Sequence, residues 1–154
     1  ISEDQTGKLT SANSTIKNNI KTWISQYKIM NDTIDLLDAY VVNLAIEFEV
    51  VIEQSANRYK VLERCSVILR EEYKVKQLIG QPFEISRIFV LLNRIDGVVD
   101  VTNVDVKRKT GSKYSSVSFS VNNMKSADGR YIMAPKNVVF EIKYPNSDIR
   151  GTIK

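Results

Sequence analysis

The chain has 154 residues, 43% of them hydrophobic and 26% charged, which is the ordinary globular range and enough to bury one sizeable core. Its formal net charge of +4 comes from 22 basic residues interleaved with 18 acidic ones along the whole length, so the charge reads as a solvated surface and not as a nucleic-acid footprint. A single cysteine, Cys65, excludes an internal disulfide framework, and no apolar run approaches the ~18 residues of a membrane span.

Residues 1–15 are polar, with a Ser/Thr/Asn-rich run that offers helix N-caps but no core, and read as a lead-in from something upstream. The first residue is Ile1 and not Met, so the sequence is taken as a piece of a longer polypeptide. Over residues 16–30 the apolar positions Ile16, Ile20, Trp23, Ile24 and Tyr27 keep helical spacing and predict an amphipathic helix of about four turns. Period two then takes over from Tyr40 to Ile52: Val42, Leu44, Ile46, Phe48 and Val50 on one face, Asn43, Glu47 and Glu49 on the other, predicting a long strand with one buried side.

The next helix is predicted over 58–76, with Ser55 or Asn57 as its cap and Val61, Leu62, Cys65, Ile68, Leu69 and Tyr73 facing inward. Gly80 and Pro82 end it. Ser86 starts a short helix over 87–95 whose inward positions are Ile88, Leu91, Leu92 and Ile95, and Gly97 supplies a left-handed end. In the strand 98–107, Val99 and Val101 have one parity and Val104 and Val106 the other; a bulge around Thr102-Asn103 would put all four on one face. A hairpin tip at residues 109–112 leads to a third strand, 115–121, with Val117, Phe119 and Val121 inward and Ser116, Ser118 and Ser120 outward. Asp128-Gly129 marks a turn, a fourth strand covers 138–144 until Pro145 stops it, and 146–154 reads as an exposed tail. The expected class is α+β: a four-stranded mixed or antiparallel sheet with two helices packed on one face, preceded by the amphipathic helix. The boundaries are 1–35 for the lead-in and helix, 36–145 for the α+β domain and 146–154 for the tail.

Chemistry is scarce. With no histidine, Ser/His and Cys/His nucleophile arrangements and imidazole ligands are excluded. Glu47 and Glu49, with Glu53 further along, would be candidates for a hard cation or an acid/base pair, but one strand face aims too few ligands, and a solvated face offset by cross-strand lysines such as Lys143 explains them. Lys107-Arg108-Lys109 with Lys113 would suit phosphates, yet the aromatics Phe48, Phe119 and Phe140 fall on faces that should be buried, which leaves an RNA-binding sheet without its stacking platform. The expectation is therefore no enzyme, no cofactor and no metal.

Several motifs together carry a resemblance. Tyr27-Lys28-Ile29-Met30 closes an Asn/Ser-rich helix, and Leu37-Asp38-Ala39-Tyr40-Val41-Val42-Asn43 leads into the long strand. Ile79-Gly80-Gln81-Pro82 is followed by Glu84-Ile85-Ser86; Gly97-Val98-Val99-Asp100-Val101 opens the second strand, and Val139-Phe140-Glu141-Ile142-Lys143-Tyr144-Pro145 ends the sheet. Across nearly its whole length the chain resembles the C-terminal part of the baseplate wedge proteins of contractile-tailed bacteriophages, the J-like baseplate family. That resemblance implies a structural virion protein, two copies per wedge in the ring around the tail hub, which forms a homodimer and contacts other wedge subunits. It implies no small-molecule substrate and no membrane, with residence in the tail baseplate and in the host cytoplasm during assembly. On this reading the stripe Ile16, Ile20, Trp23, Ile24 and Tyr27 is the candidate subunit interface. A small basic nucleic-acid-binding α+β module is the alternative.

Overall fold

The computed structural model describes residues 1–29 and 31–154; Met30, the last residue of the predicted first helix, lies outside the described residues. A small hairpin opens the chain, β1 (Ser2–Glu3) against β2 (Leu9–Thr10), followed by α1 (Ser14–Ser25). Asn13 caps α1, its side chain accepting a hydrogen bond from Ile16 N at 2.8 Å. The helix starts two residues before the predicted boundary because that cap sits upstream of the first apolar position. It ends at Ser25, where Gln26 and Tyr27 donate tightened bonds to the Trp23 and Ile24 carbonyls.

The domain is built on β3 (Tyr40–Ile52), the central strand of a mixed four-stranded sheet. After it come α2 (Arg58–Glu72), β4 (Phe83–Glu84), α3 (Ile85–Leu92) and β5 (Val98–Arg108), then α4 (Val121–Met124), β6 (Tyr131–Ile132), β7 (Val138–Glu141), α5 (Pro145–Asp148) and β8 (Ile149–Ile153). β5 runs antiparallel along one side of β3. On the other side β7 and β8 lie end to end, both parallel to β3: Tyr40 to Asn43 face Val138 to Glu141, and Ile46 to Val50 face Ile149 to Ile153. β4 and β6 form a separate two-stranded pair.

One core fills the space between the even-numbered face of β3 and the helices. Val42, Leu44, Ile46, Phe48 and Val50 meet Val61, Cys65 and Leu69 of α2 and Ile85, Ile88 and Leu92 of α3, with Val104, Val106, Phe140 and Ile149 from the flanking strands. Asn57 caps α2, accepting from Lys60 N at 3.2 Å. Gly97 has φ +91°, as its place after a helix predicts, and a Cβ there would stand 3.0 Å from a Val61 methyl.

Five expectations are corrected. The extended residues 115–120 keep the predicted alternation, with Ser116, Ser118 and Ser120 exposed, but they join no ladder. Phe119 packs edge-on to Phe140, ring centres 5.4 Å apart, and the Val117 carbonyl accepts a hydrogen bond from Arg108. Period two fixes which side chains point inward; it does not supply a neighbouring strand, and both sides of β3 are already taken. The place expected for 115–121 in the sheet goes instead to part of residues 146–154, read from sequence as a tail: Ile149 is buried and β8 closes the sheet beside β3. Pro145, expected to end the strand, begins α5, the offset through which the chain steps from β7 to β8. The helix expected to start at Ser86 starts at Ile85 without a side-chain cap, because Ser86 N donates to the Arg130 carbonyl at 2.9 Å. The bulge does fall where the valine parity places it: Asn103 faces Glu49 and Val101 faces Val50, leaving Thr102 unmatched. A second irregularity at Val99 turns Val98 toward the core and leaves Val99 60% exposed, so only Val101, Val104 and Val106 share the buried face.

Candidate functional site

The most conspicuous surface feature is α1. Its period-3.6 apolar positions form the stripe that the sequence predicts, but no α1 residue is buried. Ile16 is 41% exposed, Ile20 42%, Trp23 62% and, just past the helix, Tyr27 69%; Ile24 is half-buried. The Trp23 and Tyr27 ring centres lie 5.2 Å apart, the rings tilted by 56°. What holds α1 is polar: Lys17 Nζ donates to Asp38 Oδ2 at 2.6 Å, and Ala12 N donates to Asp38 Oδ1 at 3.3 Å. The Lys17 hydrogen bond, more than any other contact, draws the Asp38 carboxyl below the usual range. Of the five residues proposed as an interface, Ile16, Ile20, Trp23 and Ile24 are thus brought together on α1 and Tyr27 follows just beyond it; all but the half-buried Ile24 are more than 40% exposed.

Several of the charged candidates are engaged by nearby groups. Glu47 pairs with Lys107 at 2.6 Å, and Lys107 also reaches Asp105 at 3.3 Å. The Glu47 hydrogen bond is the main reason the Lys107 ammonium titrates above its ordinary range. Glu49 accepts from Thr102 Oγ1 at 2.9 Å. The counter-charge on this strand face is therefore Lys107, not the Lys143 expected from sequence, and the register of β5 explains why: Glu47 faces Asp105, one step from Lys107 on the same face. In the basic tip, Arg108 is held by the Val117 carbonyl and Lys109 Nζ approaches Asp148 at 3.9 Å. Among the described residues no group of three or more Asp, Glu or Cys side chains is arranged to hold a metal ion. Phe48 and Phe140 are buried, so neither ring is presented to a base.

Sequence reasoning missed two buried carboxylates. Glu141 accepts from Asn43 Nδ2 at 2.9 Å and from Leu9 N at 2.8 Å, and Lys76 Nζ lies 3.5 Å away. Asn43, itself buried, accepts in turn from Ser115 N at 2.7 Å. Asp148 accepts from Tyr114 Oη at 2.6 Å and from Tyr144 N at 2.9 Å. Burial, followed by the Asp148 bond, raises the Tyr114 phenol. These groups satisfy one another and close the polar face of the sheet at the end where β7 lies. The available signal was Asn43 opposite a strand glutamate, but it is the chain segments crossing that face which bury the pair. Beside them, Lys8, Lys76, Lys143, Tyr73 and Tyr144 line an open cleft of about 650 Å³, with Lys8 Nζ 4.4 Å from the Tyr144 ring centre.

No family model matches the chain, and no curated protein matches it. No described helix is long and apolar enough to cross a membrane.

Proposed function

We propose that this chain is a structural subunit of a contractile-tail baseplate wedge, and that α1 is a face through which it joins a second copy of itself. The observation that carries the reading is the α1 stripe: four large apolar side chains stand 41% to 69% exposed on a segment that buries nothing in its own domain. The core cluster draws on α2, α3 and the strands and includes no residue of α1. An apolar stripe of this size left in water is the mark of a subunit contact. The assembly class comes from the resemblance of the motifs around Tyr27, Tyr40, Gly80, Gly97 and Pro145 to baseplate wedge proteins, and the finer arrangement of sheet and paired helices is proposed on the same ground. A subunit with this role needs no catalytic centre and takes no cofactor or small-molecule substrate. It resides in the virion tail, and its partners are its own copy and neighbouring wedge proteins.

Light scattering tests the central claim. The chain at tens of micromolar is expected to have the mass of a dimer, and Ile20→Glu with Ile24→Glu to give a folded monomer. A wild-type monomer, or a double variant that unfolds, overturns the reading. Mass spectrometry of purified contractile tails tests the assembly class, with two copies per wedge expected.

A further inference from the structure

We infer that residues 1–39 form an exchangeable arm whose hairpin docks on the Glu141 site of a second copy of the chain. The inference rests on the proposed self-association through α1 and extends it to a second segment and a second receptor. None of the described residues from 1 to 41 is buried. Among the described residues, one hydrogen bond joins residues 1–39 to the rest of the chain, from Leu9 N to Glu141 Oε1 at 2.8 Å, assisted by Lys8 over the Tyr144 ring. A hairpin of two residues per strand has no stability of its own, so it needs a receptor.

The receptor is complete without the arm. If Leu9 leaves, Glu141 keeps Asn43 on Oε2 and Lys76 beside Oε1, so no buried charge is stranded. The other restraint is the cluster on Asp38, next to the start of β3, which pairs with Lys17 at 2.6 Å and with the Ile1 ammonium at 3.3 Å and accepts from Ala12 N at 3.3 Å; each such partly exposed ion pair contributes at most about 1 kcal/mol. Once it opens, the chain from Gln26 to Ala39 can span roughly 45 Å when extended, more than the roughly 30 Å width of a domain this size. Docking on a neighbour remakes the same Leu9 and Lys8 contacts that the arm makes on its own domain. The exchange therefore costs none of them, and only in an assembly does α1 gain burial. Three residues, Ser11, Ala12 and Asn13, separate the hairpin from α1. When α1 seats on a partner, the receptor within reach is the partner's, which is the condition for swapping an element between identical subunits.

Isotope-coded cross-linking tests this on the native chain. Ordinary and fully ¹⁵N-labelled protein are mixed in equal amounts, incubated to exchange subunits and treated with an amine-reactive cross-linker; Lys8 and Lys143, which line the same cleft, report the docked hairpin. The expected result is Lys8–Lys143 linkages joining a light to a heavy peptide, about half of the total for random pairing into dimers. In Leu9→Pro, which lacks the donor N–H, these linkages are expected to fall several-fold while the dimer mass is unchanged. In the Ile20→Glu, Ile24→Glu monomer they are expected to become isotopically pure. A wild-type dimer with only pure linkages, or with none, overturns the exchange and leaves self-association through α1 standing. Mixed linkages that persist undiminished in Leu9→Pro also overturn it, since mere proximity would then explain them. A wild-type monomer with pure linkages overturns both.

Discussion

At the scale of single residues, the tightest constraint in the molecule is Gly151. It lies opposite Phe48 in the β3–β8 pairing, and a Cβ built there would stand 2.3 Å from the Phe48 ring and 2.8 Å from a Leu62 methyl. Both neighbours belong to the core, so neither moves freely. Gly151→Ala should therefore cost about 1 to 3 kcal/mol by overpacking. Gly129→Ala, at φ +70° with nothing within 4 Å of the new methyl, should cost only the backbone strain of about 1 kcal/mol. Urea denaturation of the two variants checks the order; equal losses would mean that Phe48 does not pack against β8. The sequence displays Gly151 as an unremarkable residue near the end of the chain. Its importance comes from a ring 103 positions away.

Among the elements, α2 and β8 make opposite lessons. The inward positions of α2 follow from its periodicity, and Cys65 and Leu69 are fully buried as that spacing requires. β8 carries too weak a pattern to announce itself, yet Ile149 is as buried as the α2 core. Leu69→Ala and Ile149→Ala should each cost about 2 to 5 kcal/mol, the range for truncating a buried aliphatic side chain, while Ser118→Ala on the exposed side of its segment should be nearly neutral. An Ile149→Ala loss under half a kcal/mol would return residues 149–153 to the status of a tail. The same α2 face gives a pH dependence. Burial pushes the Cys65 thiol up to about 11 from an ordinary value near 9, and burial, with the carboxylates of Glu72 and Glu84 adding to it, raises the Tyr73 phenol as well. In both cases the neutral form is the folded one, so the unfolded chain releases its protons first. Stability from these groups is complete below about pH 9 and is lost as pH rises toward 11. Urea midpoints measured across that interval should fall, with Cys65 unreactive to thiol reagents until the chain unfolds; a flat profile would contradict the burial of the α2 face.

For the whole molecule, the question is what an excess of four positive charges does. The cations near the sheet are bound to nearby acceptors: Lys107 to Glu47, Lys76 to Glu141, Arg87 to Glu72 and Arg108 to a carbonyl. The basic tip is thus partly engaged within the molecule, and Phe48 and Phe140 are turned away from any base. Binding to random single- or double-stranded DNA should accordingly be weak and show a shallow dependence on log salt, since few counterions would be released. Fluorescence anisotropy with a labelled oligonucleotide checks this. A steep slope with submicromolar affinity at physiological salt would favour the nucleic-acid module over the assembly subunit.

What the sequence determined by itself is everything that depends on local repetition. The even-numbered face of β3, the inward stripe of α2, the exposed serines of 115–120, the Asn57 cap, the left-handed Gly97 and the Thr102 bulge all follow from neighbours within a few positions. The apolar stripe was legible for the same reason, because Ile16, Ile20, Trp23 and Ile24 keep helical spacing; that most of it stays exposed could only be seen in three dimensions. The tertiary structure alone decided which extended segment lies beside β3, since β8 gains its place from Gly151 meeting Phe48 and not from any pattern of its own. It also decided the burial of Glu141 and Asp148. Their partners Leu9, Asn43, Lys76 and Tyr114 are scattered along the chain, and a carboxylate becomes an interior group only when such distant donors converge on it.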